Sequence, residues 1–157
     1  MKIRTDFVTN SSSSSFVLAF VNEQSIKTEL VNSFPEYALQ YFSTVYHDVK
    51  NAERLTKEQV VEKIKEECRW SAEYYLFEQK RRKNRNLTYS DMWEWGDSEE
   101  GKKEIDDYIN NIIKGVEVQL NSNSVFVEVE YCDHDNGELE HDIMPALPVT
   151  VKRFSHH

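Results

Sequence analysis

The sequence predicts an α+β fold in which an antiparallel sheet packs against two or more helices. Three observations support this. An apolar run at 16–21, FVLAFV, is short and rich in β-forming residues; two later segments repeat apolar residues at helical spacing; and after Gly115 apolar residues alternate with a period of two. Strands at both ends of a chain with helices between them are typical of α+β proteins. We therefore expect an N-terminal strand and a C-terminal β-meander in one sheet.

The composition limits the class of protein. A chain of 157 residues is of the right size for one domain, here 1–157, and 39% hydrophobic residues are too many for a disordered chain. The net charge of −9 disfavours nucleic acid as a partner, because its phosphates would be repelled. A protein partner fits this composition better.

The two cysteines bear on the compartment. Cys68 and Cys132 form no CxxC motif, and one pair of cysteines is not a disulfide framework. We interpret both as reduced thiols, which predicts a cytoplasmic protein. The apolar run at 16–21 is too short for a membrane span or a signal peptide, so we expect no membrane partner.

The longest predicted helix begins near Thr56. The sequence TKEQ has the form of a capping box, with Thr56 as N-cap and Gln59 reaching back to it. The helix ends in the basic run KRRKNR at 80–85, where cations complement the helix dipole. One face is apolar, and Cys68 belongs to it as a small core residue, with Val60, Ile64, Ala72 and Tyr75.

A second helix is predicted to begin after Ser98 and to end at Gly115 as its C′ residue. The stretch from 88 to 98, which contains Trp93 and Trp95, is predicted to be a loop. Together with the basic run at 80–85 it could bind a phosphate or single-stranded nucleic acid by charge and stacking. We favour a solvated helix end, given the net charge of −9.

The C-terminal third is predicted to be a meander of four strands. Asn136-Gly137 is a strong hairpin signal, because both residues tolerate the positive φ of a type I′ turn. That turn would place Cys132 opposite His141 and Asp133 opposite Glu140. The predicted strands are VEVQL, VFVEVEYCD, ELEHDIM and VTVKRF, at 116–120, 125–133, 138–144 and 149–154.

This hairpin predicts a zinc site. In its register Cys132, His134 and His141 share one face, and His156 could join them. Thiolate and imidazole are ligands that zinc prefers. Two alternatives stay open: the tip could be an ordinary polar turn, and the terminal histidines could belong to a purification tag.

The opposite face of the same hairpin is acidic. Asp133 and Glu140 would be paired carboxylates, able to act as acid and base if one raises the pKa of the other. A calcium loop is excluded, because Gly137 is fifth from Asp133 and that motif needs glycine sixth.

Five serines, Ser11–Ser15, precede the first strand. We interpret 1–15 as a serine-rich lead-in that contributes little to stability. The opening FVTNSSSSSF resembles the N-termini of many uncharacterised bacterial and phage proteins. The resemblance implies a bacterial source. Because those proteins are otherwise dissimilar, it also implies that the opening is a recognition or processing tag. It implies no functional residue.

Two functions are compatible with these patterns. The first is a small acidic intracellular protein that acts by binding, with a zinc ion on the C-terminal hairpin. The second is a metal-dependent hydrolase with Cys132, His134 and His141 as ligands and Glu140 as general base. The chain contains no Walker loop, nucleophile elbow or HExxH motif, so whether it is an enzyme stays open.

Overall fold

The computed structural model describes residues 13–156 and contains an antiparallel sheet of four strands in the order β2-β3-β1-β4. The N-terminal strand lies inside the sheet, between the two strands from the C-terminal part of the chain. The predicted α+β class is confirmed. The strands are β1 (Ser13–Phe20), β2 (Arg54–Leu55), β3 (Val125–Cys132) and β4 (Thr150–His156).

Six α-helices accompany the sheet in the described part of the chain: α1 (Ile26–Ser33), α2 (Phe42–Asn51), α3 (Lys57–Lys83), α4 (Tyr89–Asp97), α5 (Glu99–Ser122) and α6 (Asp133–Glu138). A π-helical turn, Leu139–Ile143, continues from α6. Short 3₁₀ segments occupy Glu23–Ser25, Glu36–Tyr41 and Met144–Ala146. None of the described helices combines the length and apolarity needed to cross a membrane.

The chain divides into two compact units, one with the residues up to Val60 and from Gln119, the other Val61–Val118. The first unit holds the whole sheet. Its core lies on one face of β1 and β3, where directly paired residues project to the same side. Phe16, Leu18 and Phe20 pair with Val129, Val127 and Val125, and all six are buried.

The serine run takes part in this sheet. β1 begins at Ser13, three residues earlier than the predicted strand, and Ser14 and Ser15 are buried. The predicted lead-in is therefore too long, because Ser13–Ser15 form ladder pairs with both β3 and β4. Residues 1–12, which include the rest of the lead-in, lie outside the described residues.

The predicted N-terminus of α3 is confirmed. The Gln59 N–H donates to Thr56 Oγ1 at 3.1 Å, and the Thr56 N–H donates to Gln59 Oε1 at 2.8 Å. These two bonds satisfy amides that a helix start leaves without intrahelical partners.

Replacing Thr56 with alanine should therefore lower the free energy of unfolding by about 1 kcal/mol. Calorimetry should show a drop in Tm of about 2–4 °C for a chain of this size. Thr44→Ala is the matched control, since Thr44 is exposed inside α2. An equal loss in both variants would contradict a specific role for the cap.

Two helices extend beyond their prediction. The stretch predicted as a loop forms α4, whose N-cap Thr88 accepts from the Asp91 N–H while Asp91 accepts from the Thr88 N–H. The second helix does not end at Gly115 but continues as α5 to Ser122. VEVQL is therefore helical rather than a strand: Ile109, Ile112, Val116 and Leu120 maintain spacings of three and four across Gly115.

The predicted hairpin at Asn136-Gly137 is wrong. Both residues lie within α6, where Asn136 (φ −142°, ψ 54°) forms a kink, and no described residue has the positive φ that a type I′ turn requires at two positions. The segment ELEHDIM is helical because its apolar residues recur at helical spacing and are buried in the core; these residues are Leu139, Ile143 and Met144. β3 and β4 were predicted close to their observed bounds, but they pair with β1 rather than with a third C-terminal strand.

Candidate functional site

A polar cluster lies at the end of the sheet where β1 begins. Ser14 pairs with Tyr131 of β3 and with Ser155 of β4, and Phe16 pairs with Arg153. Direct pairs project to one face, so Ser14 and Arg153 extend the core face beyond its last apolar residues. The π-helical turn supplies Glu140 to this end of the core.

Glu140 is the centre of the cluster, and its carboxylate is fully buried. The Ser14 hydroxyl donates to Glu140 Oε1 at 2.9 Å, and Arg153 Nε donates to Ser14 Oγ at 3.1 Å. Arg153 Nη2 lies 3.9 Å from the same carboxylate oxygen. The other oxygen, Oε2, is 3.3 Å from His141 Nε2. The two carboxylate oxygens thus have different surroundings, one facing β1 and β4 and the other facing His141.

Asp133 completes a group that could hold a metal ion. One ligand atom from each of Asp133, Glu140 and His141 lies within 4.8 Å of the others, and no other group of three His, Cys, Asp or Glu within residues 13–156 meets this condition. Asp133 begins α6, while Glu140 and His141 belong to the π-helical turn. Such turns are often found at functional sites.

The four predicted ligands do not converge. Cys132 and His156 both pair with Ser13, from opposite sides, so their strands are about 9–10 Å apart, too far for one ion. Cys132 Sγ donates to Asp135 Oδ2 at 3.5 Å, and His134 is exposed in α6. Only His141 belongs to the observed group. The predicted Cys132–His141 pairing depended on the hairpin and is absent with it.

Asp133 and Glu140 are close to each other, as predicted, but for another reason. The hairpin register placed them on the face opposite His141, whereas helical folding brings all three together. The sequence indicated this acidic pair. It did not indicate Ser14 and Arg153, which lie 126 and 13 residues from Glu140 and reach it only through sheet pairing.

Tyr131 extends the polar face next to Ser14. It is nearly buried, and its hydroxyl donates to Asp48 Oδ2 at 2.8 Å. Burial first, and then this hydrogen bond and the charge of Asp48, raise the pKa of Tyr131. The phenol therefore stays protonated at neutral pH and acts as a fixed donor rather than as a base.

A second serine contact lies on the other face of the sheet. Ser15 Oγ is 3.1 Å from His156 Nε2 and donates to Glu130 Oε2 at 3.4 Å. The residue types are those of a catalytic triad, but the arrangement differs. Glu130 accepts a hydrogen bond from the serine itself, and Ser15 is buried, so a substrate could not reach it.

Comparison of the chain with protein-family models, with curated proteins and with solved structures finds no match.

Proposed function

We propose that this protein acts by binding and that it takes up one divalent metal ion, zinc, at Asp133, Glu140 and His141. The observation that carries the proposal is the convergence of one ligand atom from each of these three residues, of which Glu140 contributes a fully buried carboxylate. Burying a carboxylate is costly unless a positive charge compensates it. Arg153 Nη2 lies 3.9 Å from Oε1 of this carboxylate, and a cation bound at Oε2 would add positive charge on the side that faces His141.

One distance within the group, between Glu140 and His141, matches zinc. Zinc binds imidazole nitrogen and carboxylate oxygen at about 2.0–2.1 Å, so two ligands of a tetrahedral ion are about 3.3 Å apart. Glu140 Oε2 and His141 Nε2 are 3.3 Å apart. An ion between them would have Asp133 as third ligand, and water could take the fourth position.

Ser14 and Arg153 would act as positioning residues. Both contact Glu140 on its Oε1 side, through the hydroxyl of Ser14 and the guanidinium of Arg153. This leaves Oε2 directed at His141. Residues that orient a ligand from behind typically contribute a 10–100-fold share of metal affinity. On this proposal Ser14, the fourth serine of the run, has a defined role.

The geometry favours binding over the hydrolase alternative. In that alternative Glu140 would be the general base, which must approach a bound water and a substrate. Glu140 is fully buried and belongs to the ligand group itself, so it would have to serve as ligand and base together.

We also propose that the protein works in the cytoplasm of a bacterium. Both cysteines are free thiols, Cys68 buried in α3 and Cys132 at the end of β3, which suits a reducing compartment. The bacterial source rests on the likeness of the opening FVTNSSSSSF alone.

Titration of the protein with zinc, using material without added histidines, should reveal one site per chain. Glu140→Gln should weaken binding by about 100-fold or more, because an amide replaces a charged ligand.

Saturating zinc, at about 100 times Kd, should raise the free energy of unfolding by about 2.7 kcal/mol. Because protons compete with the metal ion for its ligands, affinity should fall as the pH is lowered. Calorimetric titration measures the stoichiometry and the affinities, and unfolding followed with and without zinc measures the gain in stability.

Two control variants separate this site from its alternatives. Asp142→Asn removes an exposed neighbouring carboxylate and should leave the affinity unchanged. Cys132→Ser removes a ligand of the predicted hairpin site and should also have no effect. Absence of zinc binding, or loss of binding in Cys132→Ser but not in Glu140→Gln, would refute the proposed site.

A further inference from the structure

The second unit carries an exposed aromatic surface next to a basic one. Trp70 and Tyr74 of α3 are exposed by 60% and 38%, and their rings stack with centroids 5.5 Å apart. Tyr89 and Trp93 of α4 are exposed by 51% and 55% and lie one turn apart on one helix face. We call these four residues the aromatic surface. Exposed apolar patches of this kind mark interaction sites in soluble proteins.

The basic side adjoins the aromatic surface. The Arg81 guanidinium lies 5.0 Å from the centre of the Tyr89 ring and forms an ion pair with Glu78 at 2.8 Å. Beyond it, Arg82 and Arg85 are exposed. Together these residues line a depression of about 370 Å³, which we call the arginine depression. A cavity of about 150 Å³ is enough to hold benzene, so an indole ring fits in this space.

We propose that this surface joins two copies of the chain about a two-fold axis, with Trp70 of each copy seated in the arginine depression of the other. The surface has both halves of a cation–π contact, an exposed indole and exposed guanidinium groups. Along α3 these halves, Trp70 and Arg82, are about 18 Å apart at 1.5 Å per residue. A partner that complements both must present a cation opposite Trp70 and an aromatic ring opposite Arg82. These two groups must have the same spacing and the reverse order along the partner. An antiparallel second copy meets this requirement, as two-fold interfaces do.

The aromatic surface supplies about half of the area that a stable dimer needs. Four aromatic side chains of about 200 Å², each roughly half exposed, contribute about 400 Å² per copy, and a stable interface needs about 800 Å² per partner. The arginine depression supplies part of the remainder. Trp, Tyr and Arg are also the residue types that dominate binding energy at protein interfaces.

The net charge of −9 on each copy opposes association but does not prevent it. At physiological ionic strength the screening length is about 8 Å, so charges elsewhere on the two chains interact weakly. The depression itself is locally basic, because three arginines and one glutamate line it, so it differs in sign from the chain as a whole.

Sedimentation velocity of the full chain over a range of concentrations tests the proposal. The wild type should form dimers, and Trp70→Ala should weaken dimerisation at least about ten-fold, the loss expected for a hot-spot tryptophan. Arg82→Glu/Arg85→Glu should weaken it similarly. Tyr37→Ala is the matched control, since Tyr37 is an exposed aromatic residue of the first unit, and should leave the dimer intact. Far-UV circular dichroism verifies that each variant is folded.

Mixing the two interface variants identifies the pairing. Each homodimer of a variant has lost both contacts, whereas a mixed dimer keeps one, between Trp70 of the arginine variant and the intact arginines of the other. The mixture should therefore dimerise more strongly than either variant alone. A monomeric wild type, whether or not it binds a dT₁₅ oligonucleotide, would overturn the proposal. A mixture no stronger than its components would overturn it as well.

Discussion

Phe16→Ala is expected to lower the free energy of unfolding by about 3–5 kcal/mol, the range for removing a buried phenylalanine ring. Phe16 lies on β1 and is fully buried. Its ring contacts Tyr131, with centroids 6.5 Å apart, and lies beneath the Arg153 guanidinium at 5.8 Å. Alanine leaves a cavity that the strands on either side of β1 cannot readily fill, because their positions are fixed by ladder pairs.

Urea unfolding followed by hydrogen exchange of the β1 and β3 amides measures this loss. These amides report on the first unit directly, whereas Trp70, Trp93 and Trp95 all belong to the second unit. Phe16→Leu should cost only about 1 kcal/mol and keeps the test usable if the alanine variant does not fold. Tyr37→Ala, at an exposed position, should stay within about 0.5 kcal/mol of the wild type. A small effect of Phe16→Ala would mean that β1 is not central to the core.

Removing residues 1–15 is expected to destabilise the protein far more than removing residues 1–12. The shorter deletion should leave Tm within a few degrees, as the sequence predicts. The longer one also removes Ser13–Ser15, which pair with β3 and with β4, and the donor from Ser14 to the buried Glu140. At about 0.5–1.5 kcal/mol per hydrogen bond, we expect a loss of about 3–6 kcal/mol and a Tm lower by about 10 °C or more.

Differential scanning calorimetry of the two deletion variants and the point variant Ser14→Ala separates the contributions. Ser14→Ala keeps the strand and leaves Glu140 without one donor, so it should lose about 1–3 kcal/mol. Equal melting temperatures for both deletions would show that the serines of β1 contribute nothing to the fold.

Local signals in the sequence predicted local structure well. The capping box of Thr56 and Gln59 involves residues three apart, and it forms as predicted. The alternation from Val125 to Tyr131 also predicted its buried face, because a strand with one face in a core shows a period of two wherever its partner lies. These elements depend on neighbours in the sequence, so the sequence contains the information needed to predict them.

Asn136-Gly137 shows where local signals fail. The pair is compatible with a hairpin, but Leu139, Ile143 and Met144 bury a helical face in the core, and this burial outweighs the turn propensity. The wrong hairpin also led to a wrong set of metal ligands. The hairpin grouped His141 with Cys132, whereas the helical segment groups it with Asp133 and Glu140.

Contacts between distant residues were beyond prediction from a single sequence. Ser14 and Glu140 are 126 residues apart, and nothing near either residue indicates the other. A buried serine in a run of five is not distinguishable from a solvated one until the strand order is known, and that order depends on which strands share a core.

The position of β1 between β3 and β4 has a consequence for biosynthesis. Ser15 and its partner Glu130 are 115 residues apart, so β1 leaves the ribosome long before either neighbouring strand exists. At a synthesis rate of about 5–20 residues per second, both edges of the segment FVLAFV stay unpaired for roughly 6–23 s. Sheets closed by such distant contacts fold slowly, and an apolar strand with open edges is prone to aggregation in that interval. The sheet can therefore form only after β3 and β4 have been synthesised, and until then the newly made chain is vulnerable at β1.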